Sequence, residues 1–186
     1  MAARGLHILL GCLATAALLT PPAVAEGDQD CADGWTKFDS HCFKFFEEQK
    51  TWTEAEKSCH SLNGNLASIH SEDENTFVVG MIVEATGHLA STWLGGNDAV
   101  LEGTWMWSDG SAWDFTAWAD SQPDNAGGNE HNMHINFNGP YWNDAPNSVT
   151  LPYICAKDVP HSALPEPKSV SLTLEGFLCQ CSPQKK

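Results

Sequence analysis

Apolar residues recur at helical spacing in two segments of the first half of the chain, and each segment begins with a capping signal. The first starts at Thr51, with Glu54 three residues later as in a capping box, and we expect Gly64 to end it. Its apolar face comprises Trp52, Ala55, Cys59 and Leu62. The second starts with a further box, Ser71 and Glu74, and its apolar residues are Phe77, Val78, Met81 and Ile82. The pattern therefore predicts two helices.

Short apolar runs around these helices predict strands. Residues 31–48 mix aromatic and polar positions as in a hairpin, and residues 65–69 are strand-like. After Gly87 we expect short strands, separated by long loops, at residues 93–95, 104–107, 133–136 and 153–155. Long loops are uncommon in compact domains unless they are functional. The tryptophans of this half are expected to be mostly core, because a loop-rich fold needs their bulk.

Both ends of the chain differ from the middle in composition. Residues 1–25 combine Arg4, an apolar stretch and a run of small residues, which is typical of a secretory signal peptide. The apolar stretch, about 12 residues, is shorter than the roughly 20 that cross a bilayer, which disfavours an uncleaved anchor. We therefore expect a secreted, extracellular protein that begins at Glu26. Residues 159–186 are rich in Pro, Ser and Lys and are expected to form a poorly ordered tail.

The chain is strongly acidic, with a formal net charge of -15 that becomes -16 when Arg4 leaves with the signal peptide. Such a charge repels phosphate backbones and anionic lipids, so nucleic acid is not an expected partner. No later apolar stretch is long enough for a membrane helix. Most scattered carboxylates need no explanation beyond solubility. Cations are the natural ligands of any that cluster.

The cysteines of the mature chain indicate disulfides, as is usual in secreted domains. They are Cys31, Cys42, Cys59, Cys155, Cys179 and Cys181. Six cysteines allow 15 connectivities, and the sequence alone does not choose among them. Cys179 and Cys181 are too close in sequence to pair favourably, so they are candidates for linking two chains into a homo-oligomer. The absence of a C-x-x-C spacing weakens zinc and thiol-redox interpretations.

Oxygen-bearing side chains are concentrated in residues 122–144. They are Gln122, Asp124, Asn125, Asn129, Glu130, Asn132, Asn136, Asn138, Asn143 and Asp144. Calcium takes 6 to 8 oxygen ligands from carboxylates, amides and carbonyls. Composition alone would favour an ordinary polar loop. Only the order and spacing of these residues can distinguish such a loop from a calcium site.

That order resembles the C-type lectin-like domain. The matching motifs over residues 31–158 are Thr51-Trp52-Thr53-Glu54, Trp93-Leu94-Gly95-Gly96, Gln122-Pro123-Asp124, Glu130, Trp142-Asn143-Asp144, Cys59 and Cys155. The resemblance extends to soluble fish lectins and type II antifreeze-like relatives. It implies an α+β fold with two helices, small antiparallel sheets and a long calcium-binding loop region. It also pairs Cys31 with Cys42 and Cys59 with Cys155.

The resemblance implies a site as well. In calcium-dependent members the ion is held by side chains matching Gln122, Asp124, Glu130, Asn143 and Asp144, the last adding its carbonyl. The matching proline is cis, and two sugar hydroxyls complete the Ca²⁺ shell. Members with Gln-Pro-Asp favour galactose or N-acetylgalactosamine, whereas Glu-Pro-Asn favours mannose-like sugars. The expected function is therefore calcium-dependent binding of glycans with terminal galactose-like sugars, as in innate recognition.

Three departures from the family pattern bear on this expectation. Ala126 stands where galactose-binding members carry a stacking Trp. Asn132 and Asn147 replace the cysteines of an inner disulfide, so we expect Ca²⁺ to order residues 120–147. A second calcium site is half present: Asp98 and Glu102 match it, but its remaining positions include Asn125 and His131. We expect this second site not to hold calcium, because fewer charges bind more weakly.

Two other classes of function compete with sugar binding. Glu130, His131 and His134 could suggest zinc or acid–base chemistry, but no third ligand, nucleophile elbow or phosphate loop accompanies them, so no enzyme is expected. The same fold also serves in ice binding or protein binding. The tail, with Cys179 and Cys181, has no counterpart in the family pattern. It is either an assembly segment or an artefact of the gene model.

Overall fold

The computed structural model describes residues 31–160. The predicted signal peptide (1–25), most of the predicted tail, and Cys179 and Cys181 lie outside the described residues. The elements in chain order are β1 (Thr36–Phe38), β2 (His41–Lys50), α1 (Trp52–His60), β3 (Asn65–Leu66), α2 (Glu72–Thr86), β4 (Thr92–Asn97), β5 (Met106–Trp107), a 3₁₀ turn (Ala126–Gly128), β6 (Asn132–Phe137), β7 (Tyr141–Ala145) and β8 (Leu151–Asp158).

Both predicted helices are present, and their caps explain where they begin. The Thr51 side chain accepts from the Glu54 N–H, and the Glu54 carboxylate accepts from the Thr51 N–H, so the first capping box is complete. At α2 only half of the predicted box forms. The Ser71 hydroxyl accepts from the Glu74 N–H at 3.1 Å, but the Glu74 carboxylate accepts from the His70 N–H at 2.6 Å.

The end of α1 differs from the expectation. The helix ends at His60, and the residue with positive φ beyond it is Asn63 (φ 59°), not Gly64. Gly64 is required for a different reason: a Cβ there would lie 2.4 Å from the Ala156 carbonyl oxygen. The glycine therefore allows the chain after α1 to approach β8.

The eight strands form one mixed sheet in the order β1-β2-β8-β4-β6-β7, with β3 on β8 and β5 on β4. All pairs are antiparallel except β4 and β8, which meet in parallel at Trp93 and Tyr153. The α+β class is confirmed, although the strands join into a single sheet rather than several small ones. Strand β5 is shorter than the predicted 104–107, and β7 was not predicted.

Most tryptophans belong to the hydrophobic core or pack against it, as predicted. Trp142 is fully buried, and the rings of Trp107, Trp113 and Trp118 stand around it at 5.7 to 6.0 Å between centroids. The Trp142 indole N–H donates to Asn75 Oδ1 on α2 at 2.8 Å. Strand β7 is thereby fixed to the helix from within the core.

Two disulfides lie within the described residues, and they are the pairs that the resemblance implies. Cys31 joins Cys42, and Cys59 on α1 joins Cys155 on β8. At the end of β8 the Val159 N–H donates to the Ser40 carbonyl at 2.8 Å. Both ends of the described chain are therefore held at the β1–β2 side of the sheet. Within residues 31–160, neither helix has the length and apolar character needed to cross a bilayer.

Candidate metal centre

Three carboxylates converge where the 122–130 loop meets β7. One oxygen of each of Asp124, Glu130 and Asp144 lies within 4.8 Å of the others. Asp144 is buried, Glu130 partly buried and Asp124 exposed. Negative charges this close repel one another, and a cation placed among them removes the repulsion. These are three of the five ligands expected from the sequence.

Hydrogen bonds within the loop hold this geometry. The Asp144 carboxylate accepts from the Asp124 N–H at 3.2 Å and from the Asn125 N–H at 2.8 Å. Asn125 adopts positive φ (45°), and its side-chain oxygen accepts from the Glu130 N–H at 3.0 Å. The Glu130 carboxylate in turn accepts from the Ala126 N–H at 2.9 Å. Backbone N–H groups of the loop therefore hold two of the carboxylates, those of Asp144 and Glu130, in place.

The electrostatics of the cluster favour a bound cation. Burial raises the pKa of Glu130 above its ordinary value, and the charges of Asp144 and Asp124 raise it further. The hydrogen bond from Ala126 opposes this effect only in part, since the net direction is upward. A positive ion at this position would favour the ionised form of Glu130.

Gln122 has an amide oxygen that accepts no hydrogen bond. Its Oε1 is buried and has no hydrogen-bond partner in the structure. Buried acceptors are normally paired, so this unpaired oxygen, two residues before Asp124, could take a cation as its partner. The peptide bond from Gln122 to Pro123 is cis. Because the donors are amide and carboxylate oxygens, the residues fit Ca²⁺ rather than a metal that prefers nitrogen or sulfur.

Asn143, the fifth expected ligand, precedes Asp144 on β7 and pairs in register with His134 on β6. Its amide nitrogen lies 3.2 Å from His134 Nε2 and also donates to the Asp144 backbone carbonyl. His134 is buried, and burial lowers its pKa. This contact could not be predicted from the sequence, because only the β6–β7 register brings the two side chains together.

A second group of side chains that could hold a cation includes the neighbour of Glu130 in the chain, His131. Asp98, Glu102 and His131 each place one ligand atom within 4.8 Å of the others. His131 Nδ1 is 3.0 Å from Asp98 and 3.5 Å from Glu102, and the Gly103 N–H donates to Asp98. His131 and His134 have separate partners, Asp98 and Asn143, so they do not converge on one metal.

The positions that replace the inner disulfide are occupied by hydrogen-bonding side chains. The Asn132 amide donates to the Ala145 carbonyl at 3.4 Å, which joins β6 to β7. Asn147 Oδ1 accepts from both the N–H and the hydroxyl of Thr53, each at 3.0 Å. Ala126 is exposed on the 3₁₀ turn and adds no ring to the site. The loop is thus anchored without a covalent link.

The fold and the cluster of loop and strand ligands define a C-type lectin domain. Residues 48–157 match the family model described as the Lectin C-type domain, and the chain belongs to this family. It is 43% identical over 129 residues to the galactose-specific lectin nattectin of Thalassophryne nattereri. The aligned region covers 69% of this chain and 81% of nattectin.

Solved structures show the same fold. A herring type II antifreeze protein superimposes with a TM-score of 0.65 at 35% identity, over 70% of this chain and 100% of that chain. The C-type lectin CEL-I from Cucumaria echinata superimposes with a TM-score of 0.65 at 29% identity, over 70% of this chain and 99% of that one. Proteins named for sugar binding and for ice binding are therefore both similar to this chain.

Proposed function

We propose that this chain is a secreted lectin that binds galactose or N-acetylgalactosamine through one Ca²⁺. Gln122, Asp124, Glu130, Asn143 and Asp144 would hold the ion. The observation that carries the proposal is the convergence of the three carboxylates of Asp124, Glu130 and Asp144. The unpaired, buried Gln122 oxygen, two residues before Asp124, adds support. Acidic oxygens this close repel one another, and a cation bound among them would relieve that repulsion.

The bound ion would supply coordination for two neighbouring sugar hydroxyls, and the protein side chains would select among sugars. Asp124 and Glu130 only accept hydrogen bonds, whereas Gln122 and Asn143 also donate. The hydroxyls of a sugar must therefore present donors to the acids and acceptors to the amides. A galactose-like sugar is expected from the Gln122-Pro123-Asp124 order, and the similarity to the galactose-specific lectin nattectin supports it.

Secretion is supported by the two disulfides, since such bonds persist in oxidising compartments. The domain boundaries proposed are residues 1–25 for the signal peptide, 31–158 for the lectin domain and 159–186 for the tail. Residues Cys179 or Cys181 would link chains, and several sites on one assembly would compensate for weak binding at each. The proposed activity is binding, with no catalytic step.

The decisive experiment is chromatography of the full secreted protein on immobilised galactose. We expect retention in Ca²⁺ and release by chelator. Glu130→Gln should abolish binding to the column. Asp114→Asn should still bind, because Asp114 pairs with His70 and not with the carboxylate cluster. Passage of the unaltered protein through galactose, N-acetylgalactosamine and mannose columns in Ca²⁺ would overturn the proposal.

The sugar class has a separate test. A double substitution, Gln122→Glu with Asp124→Asn, keeps the number of oxygen donors and reverses the order of amide and acid. We expect it to retain Ca²⁺ and to shift binding from galactose to mannose. Unchanged galactose preference in this variant would contradict the assignment of specificity to these two residues.

Ice binding is a second candidate, favoured by the likeness to the herring antifreeze protein. Growth of single ice crystals in the presence of the protein tests it directly. Slowed growth together with failure to bind any glycan would replace the lectin proposal. Glycan binding with unaltered ice growth would support it.

A further inference from the structure

A cleft with a volume of about 230 Å³ lies between the turn that joins β6 to β7 and the segment that precedes the 122–130 loop. It is lined by Trp118, Ala119, Asp120, Asn138 and Tyr141, and we call it the hairpin cleft. Small-molecule pockets usually measure roughly 300–1,000 Å³, so the hairpin cleft has room for one small ring rather than for a larger ligand. None of its residues belongs to the five ligands assigned to the ion.

Tyr141 contributes an aromatic surface to this cleft. Its side chain is 47% exposed, whereas its neighbour Trp142 is fully buried. Gly139 has positive φ (121°), and a Cβ there would lie 3.3 Å from Cδ2 and Cε2 of the Tyr141 ring. The backbone of the turn therefore lies close to one edge of the ring, and the lack of a side chain at Gly139 leaves space for it. The exposed ring surface can stack against the C–H groups of a ligand.

Polar groups stand beside this ring. Asp120 and Asn138 line the cleft and are exposed. A carboxylate only accepts hydrogen bonds, whereas an amide and the Tyr141 hydroxyl both donate and accept. An aromatic surface with a few polar groups is typical of a ligand site, and sugars combine apolar C–H faces with hydroxyls that match it. The charge of Asp120 disfavours acidic sugars, so a neutral sugar is the better fit.

The hairpin cleft adjoins the carboxylate cluster along two segments. On β7, Tyr141 and Asn143 alternate with buried Trp142, so both side chains lie on the same face of the strand, with their Cα atoms about 7 Å apart. In the preceding segment, the Gln122 N–H donates to the Ala119 carbonyl at 3.0 Å, so one turn separates the cleft from the first expected ligand. A glycan held at the ion by its terminal sugar could therefore continue into the cleft.

We propose that the hairpin cleft is a second sugar-binding site, which takes the next, neutral residue of a glycan whose terminal galactose binds the ion. The inference rests on the proposed function, because the ion fixes the end of the glycan. Tyr141 stacks on the apolar face of the second sugar, and Asp120 and Asn138 bind its hydroxyls. The chain therefore binds galactose-terminated oligosaccharides about fivefold more tightly than a single galactose, as for one added stacking contact.

Calorimetry with the full-length protein in Ca²⁺ is the first test. The ligands are methyl galactoside and a set of neutral trisaccharides that end in galactose and differ in linkage. We expect at least one trisaccharide to bind about fivefold more tightly than methyl galactoside. Equal affinities throughout would overturn the inference and leave the proposed function intact. No binding by any of these ligands would overturn the proposed function, and the second site with it.

Two substitutions of Tyr141 separate stacking from other effects. Tyr141→Ala removes the ring, and it should lower the ratio of trisaccharide to methyl galactoside affinity from about five to below about two. Tyr141→Phe keeps the ring and removes only the hydroxyl, so the ratio should stay above about three. An unchanged ratio in Tyr141→Ala, or equal losses of affinity for both ligands, would overturn the inference.

Nuclear magnetic resonance of the unaltered, full-length protein tests the contact without any substitution. The chain has two tyrosines, and Tyr153 is buried, so ring-labelled tyrosine gives one exposed probe at the cleft. With Ca²⁺ present, the tightest trisaccharide should shift the Tyr141 ring signals further than methyl galactoside does. Equal shifts with the two ligands at saturation would show that the second sugar does not contact Tyr141, and would overturn the inference.

Discussion

Asn147 Oδ1 accepts two hydrogen bonds from Thr53, one from the backbone N–H and one from the hydroxyl, although the residues are 94 positions apart. Thr53 lies in the first turn of α1, where N–H groups have no partner within the helix. Asn147 therefore serves as an additional cap for α1 and ties the segment after β7 to the helix. It does so at one of the two positions where the family resemblance implies a cysteine of the inner disulfide.

Asn147→Ala is expected to lower the free energy of unfolding by about 1–2 kcal/mol, since it removes two hydrogen bonds and a helix-capping contact. Urea unfolding measured with saturating Ca²⁺ checks it. Thr53→Val is the matched variant: it removes the hydroxyl and keeps the N–H bond, so a smaller loss is expected. Equal stability of Asn147→Ala and the parent would show that this contact is not an anchor.

Ala126→Trp is expected to strengthen galactose binding by about 1 kcal/mol, or roughly fivefold, because an indole at this position could stack on the apolar face of the sugar. Ala126 is exposed, and its contact with Glu130 is made by the backbone N–H, which the substitution keeps. Calorimetry with galactose at saturating Ca²⁺ measures the change. Ala126→Leu controls for apolar area without a flat ring. An equal gain in both variants would argue against stacking.

Calcium affinity is expected to fall as pH decreases, and to begin falling above the pH at which an ordinary glutamate titrates. Burial and the neighbouring acids raise the pKa of Glu130, so protons compete with the ion earlier than usual. In the calcium-free protein the folded state holds this proton more tightly than the unfolded state. The contribution of Glu130 to stability is therefore present below its unfolded pKa and lost as pH rises through the raised value.

Calcium titrations and calcium-free thermal unfolding between pH 4 and 8 check both signs. Asp114→Asn serves as the control, because its carboxyl is paired with His70 and its pKa is lowered rather than raised. The variant should reproduce the pH profile of the parent for calcium. A calcium affinity that is constant down to pH 4.5 would contradict the role of Glu130.

Removal of Ca²⁺ is expected to increase hydrogen exchange in residues 121–131, a shorter segment than the 120–147 expected from the sequence. Strands β6 and β7 carry buried residues such as Met133, Ile135 and Trp142, and they pair with each other along their length. Their amides should stay protected. Exchange measured by mass spectrometry with and without chelator checks this. Identical exchange in 121–131 under both conditions would show that the ion does not order the loop.

The sequence predicted elements whose signals are local. The Thr51–Glu54 box and the helical spacing after Ser71 depend on residues within a few positions of each other, and both helices were found. Strand β7 lacked such a signal. Its residues Trp142, Asn143 and Asp144 resemble a polar loop, and only the burial of Trp142 and Asp144 in the folded protein gives it a strand pattern.

For the candidate site, the sequence likewise predicted the ligands but not the contacts that hold them. The resemblance supplied five candidate ligands, and the structure brings three of their carboxylates together. The contacts that orient and anchor them could not be predicted, because His134 meets Asn143 through strand register and Asn147 meets Thr53 across most of the domain. Contacts between residues far apart in the chain produce no hydrophobic periodicity or local motif in either segment, so the sequence does not reveal them.

The order of strands in the sheet has a practical consequence for attachment of this protein to other molecules. The chain enters the domain at Cys31 and leaves it beyond Val159, both beside β1 and β2, whereas Asp144 lies on β7 at the opposite edge. Five strand spacings separate these edges, roughly 24 Å. A fusion partner, a surface tether or a cross-link at either end would therefore leave the edge with the proposed calcium site unobstructed, so that copies mounted side by side could all present that site to one surface.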